Sequence, residues 1–318
     1  MFPVCSILFL DKEVLIIGSF NREHCSYLMM TLASLFWAGT FVSGKIAAAQ
    51  FPTFSLSFLR FSIASLIILP LTLYLEHGKI RVPLRDLPKI VSIGALGFLG
   101  NNVLFLTACK YTSAVNLSSI AATCPLMTAL LARMFLGEPL GWKRIVAILT
   151  AFLGVLVVLY DGHLSRLMEM NFNRGDLIQA MGILLLAAYG ILSRKNGSSY
   201  SPMVIVCYGL VFSSLVTFPL MLAEKPGVYM IQASADGWLS IAYMALFASV
   251  GAYTLQQFAI KEIGPSRSMA FLNLIPIFSL FLAFWILHEN ITVMKIMGTL
   301  LVVSGVLLNA GSSRIRKI

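Results

Sequence analysis

The residues of this chain that could do chemistry are mostly neutral, and they lie inside long apolar stretches. Trp37, Thr40 and Gly44 recur at helical spacing and share one helix face. Asn101 and Asn102 sit in the middle of a third stretch. Asn116, Ser119 and Thr123 follow at i, i+3 and i+7 in a fourth, and Tyr189 lies in a sixth. Tyr253, Gln256 and Gln257 lie one turn apart, and Asn273 stands just before Pro276. Such groups have two uses in an apolar medium. They can converge on a cavity, where an apolar wall and a few hydrogen-bonding groups hold a small solute. They can also bond helix to helix, a use that suits Ser119 and Thr123. Trp37, Asn101, Tyr189, Tyr253, Gln257 and Asn273 are the candidate substrate-binding residues. Their rings and amides offer stacking and hydrogen bonds without a fixed charge, which suits an amphipathic zwitterion or an aromatic metabolite.

The ionisable residues are informative through where they fall. None of the 13 Asp and Glu or the 4 His residues lies mid-stretch, so a midplane carboxylate or histidine relay is not expected. Arg60 and Arg133 lie within stretches and read as snorkelling to the interface or paired. No buried counter-charge is evident at the midplane, and a multivalent ion is therefore a poor fit as solute. Pro125 and Pro276 each remove a backbone hydrogen bond within a stretch and predict a kink, either a hinge or a static bend. Glu138 and Glu289 follow them at the ends of those stretches. Each is a gate or proton site, or an interfacial carboxylate bonding backbone or a nearby cation. No paired Asp, His-Glu-x-x-His helix, Ser/His set or Gly-x-x-x-x-Gly-Lys-[Ser/Thr] loop occurs within the stretches. The five scattered cysteines form no zinc or disulfide pattern. The expectation is a protein that is not an enzyme and carries neither cofactor nor metal.

These residues need helices to place them. Hydrophobic residues make up 58% of the chain, charged residues 11%, and mean hydropathy is +0.89. A soluble domain carries about 25% charged residues, so lipid must be the solvent for most of this chain. Apolar runs of about 20 residues, without period-2 alternation, select helices over a barrel. Ten are predicted, over 27–48, 53–75, 90–107, 114–136, 142–160, 177–192, 202–222, 238–258, 268–287 and 293–309. The net charge of +10 belongs to topology and not to nucleic acid, because Lys and Arg are spread thinly among loops. With the N-terminus in the cytoplasm, fifteen Lys and Arg fall on inside segments and six on outside ones. That bias predicts both termini cytoplasmic in a plasma membrane, a bacterial inner membrane being the expectation. Residues 1–26 lack the features of a signal peptide and read as an extension or a short interfacial segment.

The chain also repeats itself. At an offset of 151 residues Gly100, Lys110, Pro125, Glu138 and Gly154 fall on Gly251, Lys261, Pro276, Glu289 and Gly305, without a gap. Apolar composition alone does not match Lys, Pro, Glu and two Gly at one offset. An odd number of helices per repeat makes the two halves enter the membrane in opposite senses, a plan that places a solute between them. The predicted organisation is an extension at 1–26, a five-helix repeat at 27–160, a connector at 161–176, a second repeat at 177–310 and a basic tail at 311–318.

The run Trp37-Ala-Gly-Thr-Phe-Val-Ser-Gly-Lys45 resembles the first-helix motif of the drug/metabolite transporter superfamily, in its ten-helix EamA branch. Pro125 with Leu136-Gly-Glu138 and Gly154-Val155 is similar to that family too, as is Pro276 with Leu287-His-Glu289, Gly298 and Gly305-Val306. The likeness spans 28–309 and departs at Ala147, where glycine is usual, and at His288. It implies an all-α polytopic membrane protein of ten helices in two inverted repeats. It also implies export or exchange of metabolites, amino acids or amphipathic drugs by a secondary transporter, expected to act as a monomer. The alternative function is a non-transporting membrane sensor or scaffold.

Overall fold

The computed structural model describes residues 22–78, 80–136, 141–162, 173–196, 200–225 and 227–312. Every regular element among them is helical: α1 Arg22–Ala48, α2 Thr53–Leu75, α3 Leu87–Gly94, α4 Asn101–Ala108, α5 Ala114–Ala121, α6 Cys124–Leu136 and α7 Trp142–Tyr160. The second half contains α8 Arg174–Asn196, α9 Pro202–Ala223, α10 Gly227–Gln232, α11 Ala235–Tyr243, α12 Tyr253–Ile263, α13 Pro265–Ala270, α14 Leu274–Leu287 and α15 Val293–Ser312. Eight helical stretches are long and apolar enough to cross a bilayer, and the apolar cores of α7 and α15 are shorter. The lipid-facing surface is apolar, with Leu66 76% and Phe135 71% exposed, which water would not tolerate as a continuous belt.

Several spans are interrupted, and the interruptions recur in both halves. A π-helical segment, Ala95–Gly100, joins α3 to α4, and another, Met244–Ala252, joins α11 to α12. A π turn carries an extra residue and shifts the register of the side chains that follow it. The fourth span is broken between α5 and α6, and a 3₁₀ turn at Phe271–Asn273 separates α13 from α14. Pro125 is the second residue of α6 and Pro276 the third of α14. The expected mid-helix kinks are thus breaks that lie just ahead of each proline. The reason is local: a proline is tolerated in a first turn, where its missing N–H has no intrahelical partner to lose.

The duplicated halves are held by antiparallel pairs of equivalent helices. At one end of the α2/α9 pair, Glu224 accepts from the N–H groups of Phe54 and Ser55 at 3.1 and 2.7 Å. At the other end Ser201 Oγ, the N-cap of α9, donates to Glu76. Each helix ends in a carboxylate that meets the positive N-terminus of its twin. Between them Ser62 and Ser214 bond at 2.7 Å. The α7/α15 pair is packed backbone to backbone. A Cβ on Gly154 would lie 2.6 Å from Val302 N, and one on Gly305 would lie 2.6 Å from Ala151 N. Small residues permit this approach, which lipid-embedded helices use in place of a hydrophobic drive. Ala147, where the family pattern has glycine, is fully buried in the same seam.

Candidate functional site

Neutral polar groups from several spans converge on one cleft. A cleft enclosing about 550 Å³, its mouth included, lies between the halves. Its apolar wall is Trp37, Phe41, Phe105, Ala121, Ile183, Leu186, Leu272 and Ile275. Its polar groups are Thr40, Arg60, Asn101, Asn102, Gln179 and Tyr253. These residues come from the first, second, third, fourth, sixth, eighth and ninth spans. None of the lining residues is a carboxylate or a histidine.

Three of the six candidate residues stand on this wall: Trp37, Asn101 and Tyr253. The rings of Trp37 and Tyr253 meet edge to face at 5.6 Å between centroids. Tyr253 is anchored from behind, because its hydroxyl donates to the Gly97 carbonyl at 3.2 Å, within the first π segment. Tyr189 and Gln257 are buried but do not line the cleft. They form a second layer: Gln257 Nε2 donates to the Tyr189 hydroxyl and, at 3.3 Å, to Ser193 Oγ. Phe98 connects the layers, with its ring 4.3 Å from Tyr253 and 5.6 Å from Tyr189. Gly97 makes this stack possible, since a Cβ there would sit 2.2 Å from Tyr189 Cδ2. The backbone of Asn273 ends the 3₁₀ turn before α14.

Other polar residues bond locally or to backbone and not into the cleft. Ser119 and Thr123 donate to the nearby Val115 and Ile120 carbonyls, at 2.8 and 2.7 Å, Thr123 from the turn between α5 and α6, so neither bonds helix to helix here. Glu289 Oε1 accepts from Ala114 N at 3.0 Å, at the N-terminus of α5, so it bonds backbone across the halves. Its other oxygen is buried without a partner. Glu138 lies outside the described residues.

Arg60 is the cleft residue whose side chain lies elsewhere than expected. It does not snorkel, and among the described residues it pairs with no carboxylate. It is 2% exposed and lines the cleft, with Nε donating to Ser249 Oγ at 2.7 Å and Nη1 to Asn102 Oδ1 at 2.6 Å. Asn102 in turn donates to Ser57 Oγ at 3.1 Å. The expectation of a cleft wall without fixed charge is therefore corrected. Arg60 lies seven residues into α2, roughly 10 Å along its axis. That is within snorkelling range of the end, so sequence position alone does not reveal which way the side chain turns.

A duplicated bundle of membrane helices around a cleft between its halves defines a class, the polytopic carriers built on repeats. Within it, the chain belongs to the EamA-like transporter family, whose sequence profile matches residues 25–160 and 173–311. It is a multi-pass membrane transporter and not an enzyme. An uncharacterized transporter of Bacillus subtilis, YyaM, is 32% identical over 291 residues, covering 92% of this chain and 95% of that one. A "probable terminal-alkyne amino-acid exporter" of Streptantibioticus cattleyicolor is 26% identical, over 88% of this chain and 91% of its own length. A solved crystal structure shares the fold with a TM-score of 0.69 at 19% identity, across 91% of this chain and 97% of that one.

Proposed function

We propose that this transporter is a secondary carrier that exports or exchanges small amphipathic metabolites, amino acids among them, by alternating access between its two halves. The observation that carries the reading is the composition of the cleft wall. Trp37, Asn101 and Asn102 come from the first half, Gln179 and Tyr253 from the second. A solute held there touches both halves, so a rocking motion of one against the other transfers it between two faces. The breaks before Pro125 and Pro276 are the points where that motion costs least, since no continuous helix has to bend there. The amino-acid exporter among the relatives supports the solute class. The charge bias of the loops supports cytoplasmic termini in a bacterial inner membrane. The carrier acts as a monomer and without cofactor, because each chain holds both halves of its own cleft. In proteoliposomes the purified protein is expected to exchange amino acids without nucleotide, at rates well above protein-free liposomes. Flux that requires ATP, or flux no greater than in empty liposomes, refutes the proposal.

A further inference from the structure

Among the described residues that line it, the cleft carries one fixed positive charge and no negative one. Two of the three Arg60 nitrogens are used by Ser249 and Asn102, with Met244 Sδ also 4.0 Å from Nη1. Nη2 and its two N–H groups have no hydrogen-bond partner among the described residues. Neither described ion pair involves Arg60, since they join Lys89 to Asp86 and Arg267 to Glu23. A guanidinium stays protonated even when buried, and an unpaired buried charge is costly. Ser249 lies on the second π segment and Asn102 just after the first, so these bonds hold the fork in one orientation at the cleft.

A second orphan lies on the same wall. Gln179 is 1% exposed and donates through Nε2 to the Leu117 carbonyl at 3.3 Å, while its Oε1 is buried with no partner among the described residues. One cleft thus holds an unused donor nitrogen, Nη2, on a positively charged group and an unused neutral acceptor. A buried polar group without a partner is uncommon and calls for an explanation. We propose that Arg60 binds the carboxylate of the transported solute and that Gln179 Oε1 accepts from a donor N–H or O–H of that solute. The substrate class is a small organic acid with one carboxylate and a hydrogen-bond donor, of which a zwitterionic α-amino acid is the simplest case. A single guanidinium balances one negative charge, whereas a phosphate dianion would leave a second one desolvated and unpaired. This rests on the reading of the cleft as the transport site, and names the chemistry that site selects.

The test uses the full chain in detergent and in proteoliposomes. The probes are the twenty common L-amino acids, each beside its C-terminal amide and its decarboxylated amine. Thermal unfolding is followed with each solute, and efflux of the same solutes is measured by mass spectrometry. At least one amino acid raises the unfolding temperature while its amide and amine do not. Arg60→Gln weakens the apparent affinity for that acid by about tenfold or more, as expected for a charged hydrogen bond. Arg60→Lys retains part of it, and Gln179→Leu weakens binding of the amino acid but not of its deaminated analogue. Should Arg60→Gln not fold, Arg60→Lys and Gln179→Leu carry the test. Stabilisation by the amide or amine equal to that by the acid overturns the proposal. So does the absence of any acid-specific shift, or a folded Arg60→Gln with unchanged affinity. Acid-specific binding without flux leaves the Arg60 site standing and removes the transport reading. Flux that ignores the carboxylate does the reverse.

Discussion

Gly97 offers a stringent check on how the cleft is built. Replacing it by alanine puts a Cβ 2.2 Å from Tyr189 Cδ2, 2.4 Å from Cγ and 2.8 Å from Cε2. Ordinary carbon contacts are about 3.5–4.0 Å, so the ring must retreat by roughly 1 Å. It has little room to do so. Tyr189 is fully buried, bonded to Gln257 through its hydroxyl and flanked by Phe98. Overpacking of this kind costs about 1–3 kcal/mol. Shifting the Gly97 carbonyl also strains the 3.2 Å bond from Tyr253, whose loss costs about 1 kcal/mol. Gly97→Ala is therefore expected to destabilise the protein by about 2–4 kcal/mol. The cost should fall below about 1 kcal/mol in a Tyr189→Leu background, giving a coupling energy near 2 kcal/mol. The buried thiols Cys109, Cys124 and Cys207 provide the assay, because a thiol-reactive fluorophore labels them as the fold opens. An unfolding temperature for Gly97→Ala within a degree of wild type would refute the reasoning, as would additive single and double variants.

Two further outcomes are expected. Gly305→Ala forces a Cβ to within 2.6 Å of Ala151 N and 2.8 Å of the Ala147 carbonyl, and backbone cannot yield as a side chain can. The α7/α15 pair must separate, and the loss of thermal stability should exceed that of an alanine placed at exposed Gly141, which has open space around it; equal stability of the two variants would contradict this. At the entrance to α3, the Lys89 ammonium and then the Tyr200 hydroxyl hold the Asp86 carboxyl below its usual range. A depressed folded value means that the contribution is present above the unfolded carboxylate range, near pH 4, and lost as pH falls through the folded value. Asp86→Asn should thus be less stable than wild type at pH 7, with the gap closing below about pH 4. A gap that stays constant from pH 7 to pH 3 counts against it.

The fold class was legible because in lipid the backbone must satisfy itself locally, so a long apolar run is already a helix. The duplication was legible because Pro125/Pro276 and Gly154/Gly305 keep one spacing along the chain. Trp37, Asn101 and Tyr253 were recognisable as polar or aromatic groups in apolar surroundings, and the structure places all three on the cleft. Residue type and local spacing could not separate them from Tyr189 and Gln257, which are buried and face each other one layer behind. The difference is position along the helix: Gln257 lies one turn beyond Tyr253 on the same helix and bonds Tyr189 of a neighbouring helix, while Tyr253 reaches the cleft. Arg60 was beyond local reading altogether. Its partners, Asn102 and Ser249, lie 42 and 189 residues away in sequence. The same side chain on the same helix would snorkel if those groups were absent. Apolar runs and repeat spacing, as properties of neighbouring residues and of the lipid solvent, came with the sequence. Which buried group faces the cleft, and with what charge, was decided only when distant helices packed.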